Sequence, residues 1–242
     1  NKIKRVKGNV FSDFDIDNKS LNFEEIELLS PVIPPNIIAI GLNYQKHAKE
    51  SGSKLPENPL IFLKATTSLT GPNKEIMLPK MAPDEVDFEA ELAVIIGKKD
   101  KNIEAEEALD YVLGYTCAND VSARDCQKRR DKQWARGKSF DTFCPLGPFI
   151  ETELNPQNLK IESILNGSIM QSSTTSDMIF SVREIVSYLS KNMTLLPGTV
   201  ILTGTPEGVG FARDNPEFLN TGDKIEIKIE NIGSLKNKVI KE

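Results

Sequence analysis

The sequence predicts a β-rich α+β fold. Three observations predict it. Short runs rich in Ile, Val and Leu recur along the chain, Pro, Gly and Asn turns separate them at irregular spacing, and helical periodicity is strong in one segment only. Residues 1–35 are polar, with short β-like pieces around 3–10, and read as a small N-terminal segment. The Pro-rich "SPVIPPN" (30–36) is a hinge, and the main domain is expected over 36–242.

Each element then follows in order. "IIAIGL" (37–42) reads as a buried strand. "NYQKHAKESG" (43–52) reads as a short helix with Asn43 as N-cap and Gly52 just past its end. "LIFLK" (60–64), "EIMLP" (75–79) and "FEAELAVII" (88–96) read as strands between turn residues. "EAEEALDYV" (104–112) is expected as a helix running into a strand that ends at "CAND" (117–120). "DVSARDCQ" (120–127) is expected as a turn-helix. Further β-structure is expected at 143–150, 160–167 and 168–174. "SVREIVSYLSKNM" (181–193) is the clearest helix. Ser181 and Glu184 form a capping box, and Val182, Ile185, Val186 and Leu189 form its apolar stripe. "TVILTG" (199–204) and "DKIEIKIENIG" (223–233) close the chain as strands.

The chain has 242 residues, 39% hydrophobic and 27% charged, with a formal net charge of −5. This is the composition of a globular chain with a sizeable core. The acidic balance argues against nucleic acid or an anionic membrane as partner. No apolar run approaches the roughly 20 residues of a membrane span, and the start lacks the apolar stretch of a signal peptide. Three cysteines in no ligand spacing suggest a reduced, cytoplasmic setting. The densest basic stretch, "KRRDKQWARGK" (128–138), is either a local anion site or solvated loop charge.

"DFEAELAVIIG" (87–97) carries the main chemical signal. On a strand, Asp87, Glu89, Glu91, Ala93 and Ile95 share one face; Phe88, Ala90, Leu92, Val94 and Ile96 share the other. Glu89 and Glu91 thus sit where a strand enters a core, and both stay ionised only beside a cation. Either such a cation, a metal or a salt-bridge partner such as arginine, meets them, or the strand end is wetter than its apolar run suggests. Asp120, at a strand end, is the best third ligand for a hard divalent ion such as Mg²⁺ or Mn²⁺. His47 is the only histidine, and Glu50 at i+3 shares its helix face, an arrangement suited to a general base or to a solvated face. "TGTPEGVGFA" (203–212) fits neither a P-loop nor a dinucleotide fingerprint. It could offer backbone N–H groups and Thr205 to an anion.

These stretches together resemble the fumarylacetoacetate hydrolase (FAH) superfamily. "IGLNYQKHAKESG", "VDFEAELAVIIGK", "GYTCANDVSARDCQ", "QWARGKSFDTFCPLGPFI" and "GTVILTGTPEGVGF" carry the resemblance, in order from about 37 onward. It implies an FAH-type mixed β-sandwich or β-roll and a homodimer. It implies one divalent cation, Mg²⁺ or Mn²⁺, on Glu89, Glu91 and Asp120, with Lys138 reaching the site. It further implies Thr205 on a substrate carboxylate, Arg124 and Gln127 at positions that touch substrate in some members, and His47 with Glu50 activating water. The chain departs from the family at Lys64-Ala65, where members commonly carry Lys-Pro. The implied substrate is a small 2-oxo acid reacting through a metal-stabilised enolate. C–C bond hydrolysis of an acylpyruvate is the leading expectation. Oxaloacetate tautomerisation or decarboxylation, or isomerisation of 2-hydroxyhepta-2,4-diene-1,7-dioate, is the alternative. A calcium-stabilised β-sandwich binding module and a purely structural protein are the rival readings outside enzymology.

Overall fold

A computed structural model describes residues 2–242. Two β-sheets form its frame. The longer runs Leu60–Lys64, Ile37–Gly41, Val200–Leu202, Ala90–Ile96, Val112–Asn119, Cys144–Glu151 and Leu69–Thr70, side by side in that order. The shorter runs Ser168–Thr174, Lys160–Leu165, Lys224–Ile229, Gly233–Lys241 and Glu75–Leu78. The two share one core, in which Leu92, Val94 and Cys117 of the longer sheet join Ile161, Ile227 and Leu235 of the shorter. Helix Val182–Asn192 adds Val182, Ile185, Val186 and Leu189 to that core, behind the expected capping box. A separate hairpin, Lys2–Gly8 with Phe14–Asn22, precedes both sheets.

The alternation along 88–96 holds. Phe88, Ala90, Leu92, Val94 and Ile96 face the shared core, while Ala93 and Ile95 face a second cluster with Ile37, Ala39, Val200 and Leu202. Three expectations need correction. The helix at 104–112 is only a 3₁₀ turn, Ala108–Tyr111. Ala108 is the sole fully buried residue of that turn and Leu109 and Tyr111 are only partly covered, too narrow an apolar face to hold a longer helix. The expected strand at 223–233 ends at Ile229. Its "ENIG" is a turn with Asn231 and Gly233 at positive φ, and Gly233–Lys241 returns antiparallel. Asn43 is not the N-cap of helix Gln45–Glu50; Tyr44 holds that position. The Asn43 amide is fully buried and must satisfy itself. It donates to Thr203 O at 2.8 Å and Phe180 O at 3.0 Å, and accepts Phe180 N–H at 2.8 Å. Gly52 does follow the helix as expected, with φ of 65°.

At Lys64-Ala65, where the family pattern has Lys-Pro, the backbone holds a conformation that proline could also adopt. Ala65 sits at φ −60°, the value proline would fix, and uses the N–H that proline lacks to donate to Ser139 Oγ at 3.0 Å.

Candidate active site

Where the central strand of the long sheet begins, its pairing is interrupted. Ala90 pairs with Asn119, and beyond the gap Asp87 pairs with Ser122. Between them the Asn119 side chain accepts Glu89 N–H at 2.9 Å, and Glu89 O accepts Asp120 N–H at 2.9 Å. This break turns Glu89 and Asp120 inward beside Glu91. One ligand oxygen from each of the three lies within 4.8 Å of the others, and all three residues are buried.

Cations meet two of the three carboxylates. Lys138 Nζ lies 2.7 Å from Glu89 and 2.6 Å from Asp120. Arg124 lies 2.7 Å from Glu89 and 2.8 Å from Asp87. Lys64, whose side chain is wholly buried, pairs with Asp120. Burial alone would raise the Glu89 carboxyl, but Lys138 and Arg124 lower it to about 2. Burial would likewise lower the Lys138 ammonium, and Asp120 and Glu89 instead raise it.

Glu91 is different. Among the described residues no cation touches it, and its hydrogen bond comes from Gly204 N–H at 2.7 Å. Burial, then Asp120 and Glu89, hold its carboxyl well above the ordinary range. Asp87, Glu89, Glu91 and Asp120 thus face three protein cations, Lys64, Arg124 and Lys138. An all-oxygen donor set with one uncompensated buried carboxylate fits a hard divalent cation. Of the expectations for the Glu-x-Glu pair, ion pairing is found at Glu89, with Arg124 and Lys138, while Glu91 has no cationic partner among the described residues.

The glycine-rich stretch was expected to offer N–H groups to an anion. It spends them on the chain's own carboxylates. Gly204 donates to Glu91, Gly208 to Glu50 at 2.9 Å, and Gly210 and Phe211 to Asp87 at 2.8 and 3.1 Å. Gly204 has φ of 97°, and a Cβ there would meet Asn43 Cβ at 2.7 Å, so only glycine brings this N–H to Glu91. The Thr205 side chain remains available. Gln171 fixes it by donating Nε2–H to Thr205 Oγ1 at 2.8 Å, while its Oε1 accepts Ala90 N–H at 2.9 Å.

A cavity of about 390 Å³ opens onto the cluster, lined among others by His47, Glu89, Glu91, Asp120, Lys138 and Thr205. Arg124, Gln127 and Lys128 reach it from "SARDCQK"; the turn-helix expected over 120–127 is instead a short strand, Ser122–Ala123, followed by a π-helical turn, Cys126–Arg130. Gln127 Oε1 accepts from Arg124 at 2.9 Å. His47 Nδ1 lies 3.2 Å from Glu50 on helix Gln45–Glu50, and His47 is buried at the cavity wall. Trp134, edge-on to Phe62 at 5.6 Å between ring centres, closes another side. Larger hollows lie elsewhere on the molecule, but none gathers such a cluster. Every residue named from sequence thus lies at this one site except Glu50, which stands behind His47. Sequence reasoning missed Lys64, Asp87 and Gln171 as members.

Comparison with known proteins fits this geometry. The family model described as fumarylacetoacetate (FAA) hydrolase C-terminal matches residues 36–240. This chain belongs to that family. Oxaloacetate tautomerase Fahd2a, mitochondrial, of Rattus norvegicus is 47% identical over 220 residues, covering 89% of this chain and 70% of the relative. A fumarylacetoacetate hydrolase domain-containing protein 2 homolog of Dictyostelium discoideum is 48% identical over 238 residues, covering 93% and 78%. Among solved structures, 5-carboxymethyl-2-hydroxymuconate delta-isomerase of Mycobacterium smegmatis aligns with TM-score 0.90 at 42% identity. The alignment covers 99% of this chain and 90% of that one. The family is one of enzymes, and the FAH-type β-rich fold expected from sequence is the fold found. No helix among the described residues is long and apolar enough to cross a membrane.

Proposed function

We propose that this protein interconverts the enol and keto forms of a small 2-oxo dicarboxylic acid, with oxaloacetate as the first substrate to test. The observation that carries this reading is the Lys138 ammonium, held between Glu89 and Asp120 at the rim of a three-carboxylate cluster. The similar proteins bearing tautomerase and isomerase names favour this alternative over the C–C hydrolysis that led the sequence reading.

Glu89, Glu91 and Asp120 would hold one Mg²⁺ or Mn²⁺. That ion supplies Lewis acidity to the oxygens of a 2-oxo acid and favours its enolate. The chain's own residues do the rest. Lys138 places a fixed positive charge where the enolate oxygen develops, and its paired carboxylates hold it there before substrate arrives. Thr205 presents its hydroxyl to the substrate carboxylate. Arg124 and Gln127 line the opposite wall. With Glu50 accepting Nδ1–H, His47 keeps Nε2 free to take a proton from C3 and return it. Phe62 and Trp134 give the cavity an apolar wall.

Mixing the enol form of oxaloacetate with enzyme and Mg²⁺ or Mn²⁺ tests the reading. The ultraviolet absorbance of the enol should decay far faster than with metal alone, and EDTA should abolish the gain. Cleavage of acylpyruvates without any acceleration of tautomerisation would return the function to hydrolysis.

A further inference from the structure

We propose that Lys128 is a specificity-determining residue that reads the distal carboxylate of a dicarboxylate substrate at the cavity wall. The inference deepens the reading above and rests on it.

The basic run 128–138 holds six cations, and most are already engaged. Arg129 pairs with Glu85 at 2.8 Å, Arg130 with Asp125 at 2.8 Å, Arg136 with Asp131 at 2.5 Å, and Lys138 with Glu89 and Asp120. Lys132 does not line the cavity. Lys128 does line it and, among the described residues, has no carboxylate partner. Its ammonium rests 3.4 Å from the centre of the Phe211 ring, and the Arg124 guanidinium lies 4.4 Å from the same centre. Phe211 is itself fixed through its N–H to Asp87. The ammonium is thus positioned by a face that attracts cations but offers no anion.

The other cavity cations answer to protein carboxylates. Arg124 is held by Asp87 and Glu89, and Lys138 by Glu89 and Asp120. Both are already charge-compensated by protein carboxylates, and Lys128 is not. Partial burial and the neighbouring Arg124 lower the Lys128 pKa, so its charge gains from an anion arriving alongside. A 2-oxo acid bound at the carboxylate cluster through its first carboxylate would extend its far end across the cavity. A methyl group there gains nothing from Lys128; a carboxylate completes an ion pair. The π-helical turn Cys126–Arg130 sets adjacent Gln127 and Lys128 both on the cavity.

The test compares oxaloacetate with 2-oxobutanoate, which carries a methyl where oxaloacetate has its second carboxylate. Trp134 is the chain's only tryptophan and lines the cavity, so its fluorescence reports occupancy of the Mg²⁺-loaded protein whatever the rate at which the bound acid reacts. Lys128→Met should weaken oxaloacetate about tenfold or more and leave 2-oxobutanoate within about twofold. Lys128→Arg should restore most of the difference. Equal weakening of both acids, or of neither, would overturn the assignment. The binding split does not depend on catalysis. Loss of tautomerase activity with the split intact would therefore fault the proposed reaction and leave Lys128 as the carboxylate reader.

Discussion

Gln171 Nε2 donates to Thr205 Oγ1, and so decides where the threonine's own proton points. With its acceptor side taken, the Thr205 O–H is free to donate into the cavity. Gln171→Glu keeps the acceptor for Ala90 N–H and reverses the contact to Thr205, drawing the Thr205 proton back, and it also gives up the bond to Pro206 O, a loss it incurs on the Thr205→Val background as well. KM should rise about tenfold, as for one hydrogen bond to a charged group. On a Thr205→Val background the same change should do little more. Additive effects would mean that Gln171 acts on the fold and not through Thr205.

Glu91 links the cation to stability. In EDTA its folded pKa lies above the unfolded value of about 4.3, so the folded state holds the proton more tightly. Its contribution is full below that value and is lost as pH rises through the folded pKa. The EDTA-treated protein should therefore lose thermal stability on the alkaline side, and Glu91→Gln should remove that loss. Mg²⁺ should raise the Tm of the parent and barely move the variant. Identical melting curves for the two proteins across pH and Mg²⁺ would sink the ligand assignment.

Glu89 has the opposite sign. Its folded pKa is lowered to about 2, so its stabilisation is present above about pH 4.3 and disappears as pH falls toward 2. Arg124→Met removes one of the cations holding it down. Acid unfolding of that variant should begin at higher pH, as followed by circular dichroism.

Lys138→Met should lower kcat and kcat/KM together, by roughly 10²–10³, the usual loss for a donor aimed at developing charge. A rise in KM alone would make Lys138 a binding residue in ground and transition states alike.

His47→Gln removes the only imidazole and keeps a polar side chain of similar reach. Tautomerisation should slow by roughly 10²–10⁴, the range for a lost positioned base. A stopped-flow rate equal to that of the parent would assign proton transfer elsewhere and leave His47 as a wall of the cavity.

Much of this site was readable in the sequence because its residues sit on regular elements or in specific motifs. The period of two along 87–96 put Glu89 and Glu91 at a core boundary, the strand end pointed to Asp120 and the glycine-rich loop to Thr205, and the family motifs supplied Lys138, Arg124 and Gln127. Lys64 and Gln171 were not readable. Each lies at ordinary strand sequence, and its role exists only because distant strands meet: Lys64 reaches Asp120, and Gln171 reaches Ala90 and Thr205. The 104–112 error has another cause. Its composition favours helix, but helices this short are held by buried faces, and this segment has almost none. Asn43 was misread because a buried amide answers to whichever backbone groups the fold brings near, not to the helix beside it.

The four carboxylates facing three protein cations also govern the order in which ligands arrive. Once Glu91 gives up its proton, the carboxylate cluster itself carries one excess negative charge, while Lys128 stands apart at the cavity wall. A divalent ion would reverse that sign, so under the proposed function the cation should bind first and the acid second. Because such coupling is reciprocal, saturating oxaloacetate should tighten Mg²⁺ by the same factor by which Mg²⁺ tightens oxaloacetate. At low free Mg²⁺ the protein would then respond to the product of the two concentrations rather than to the acid alone.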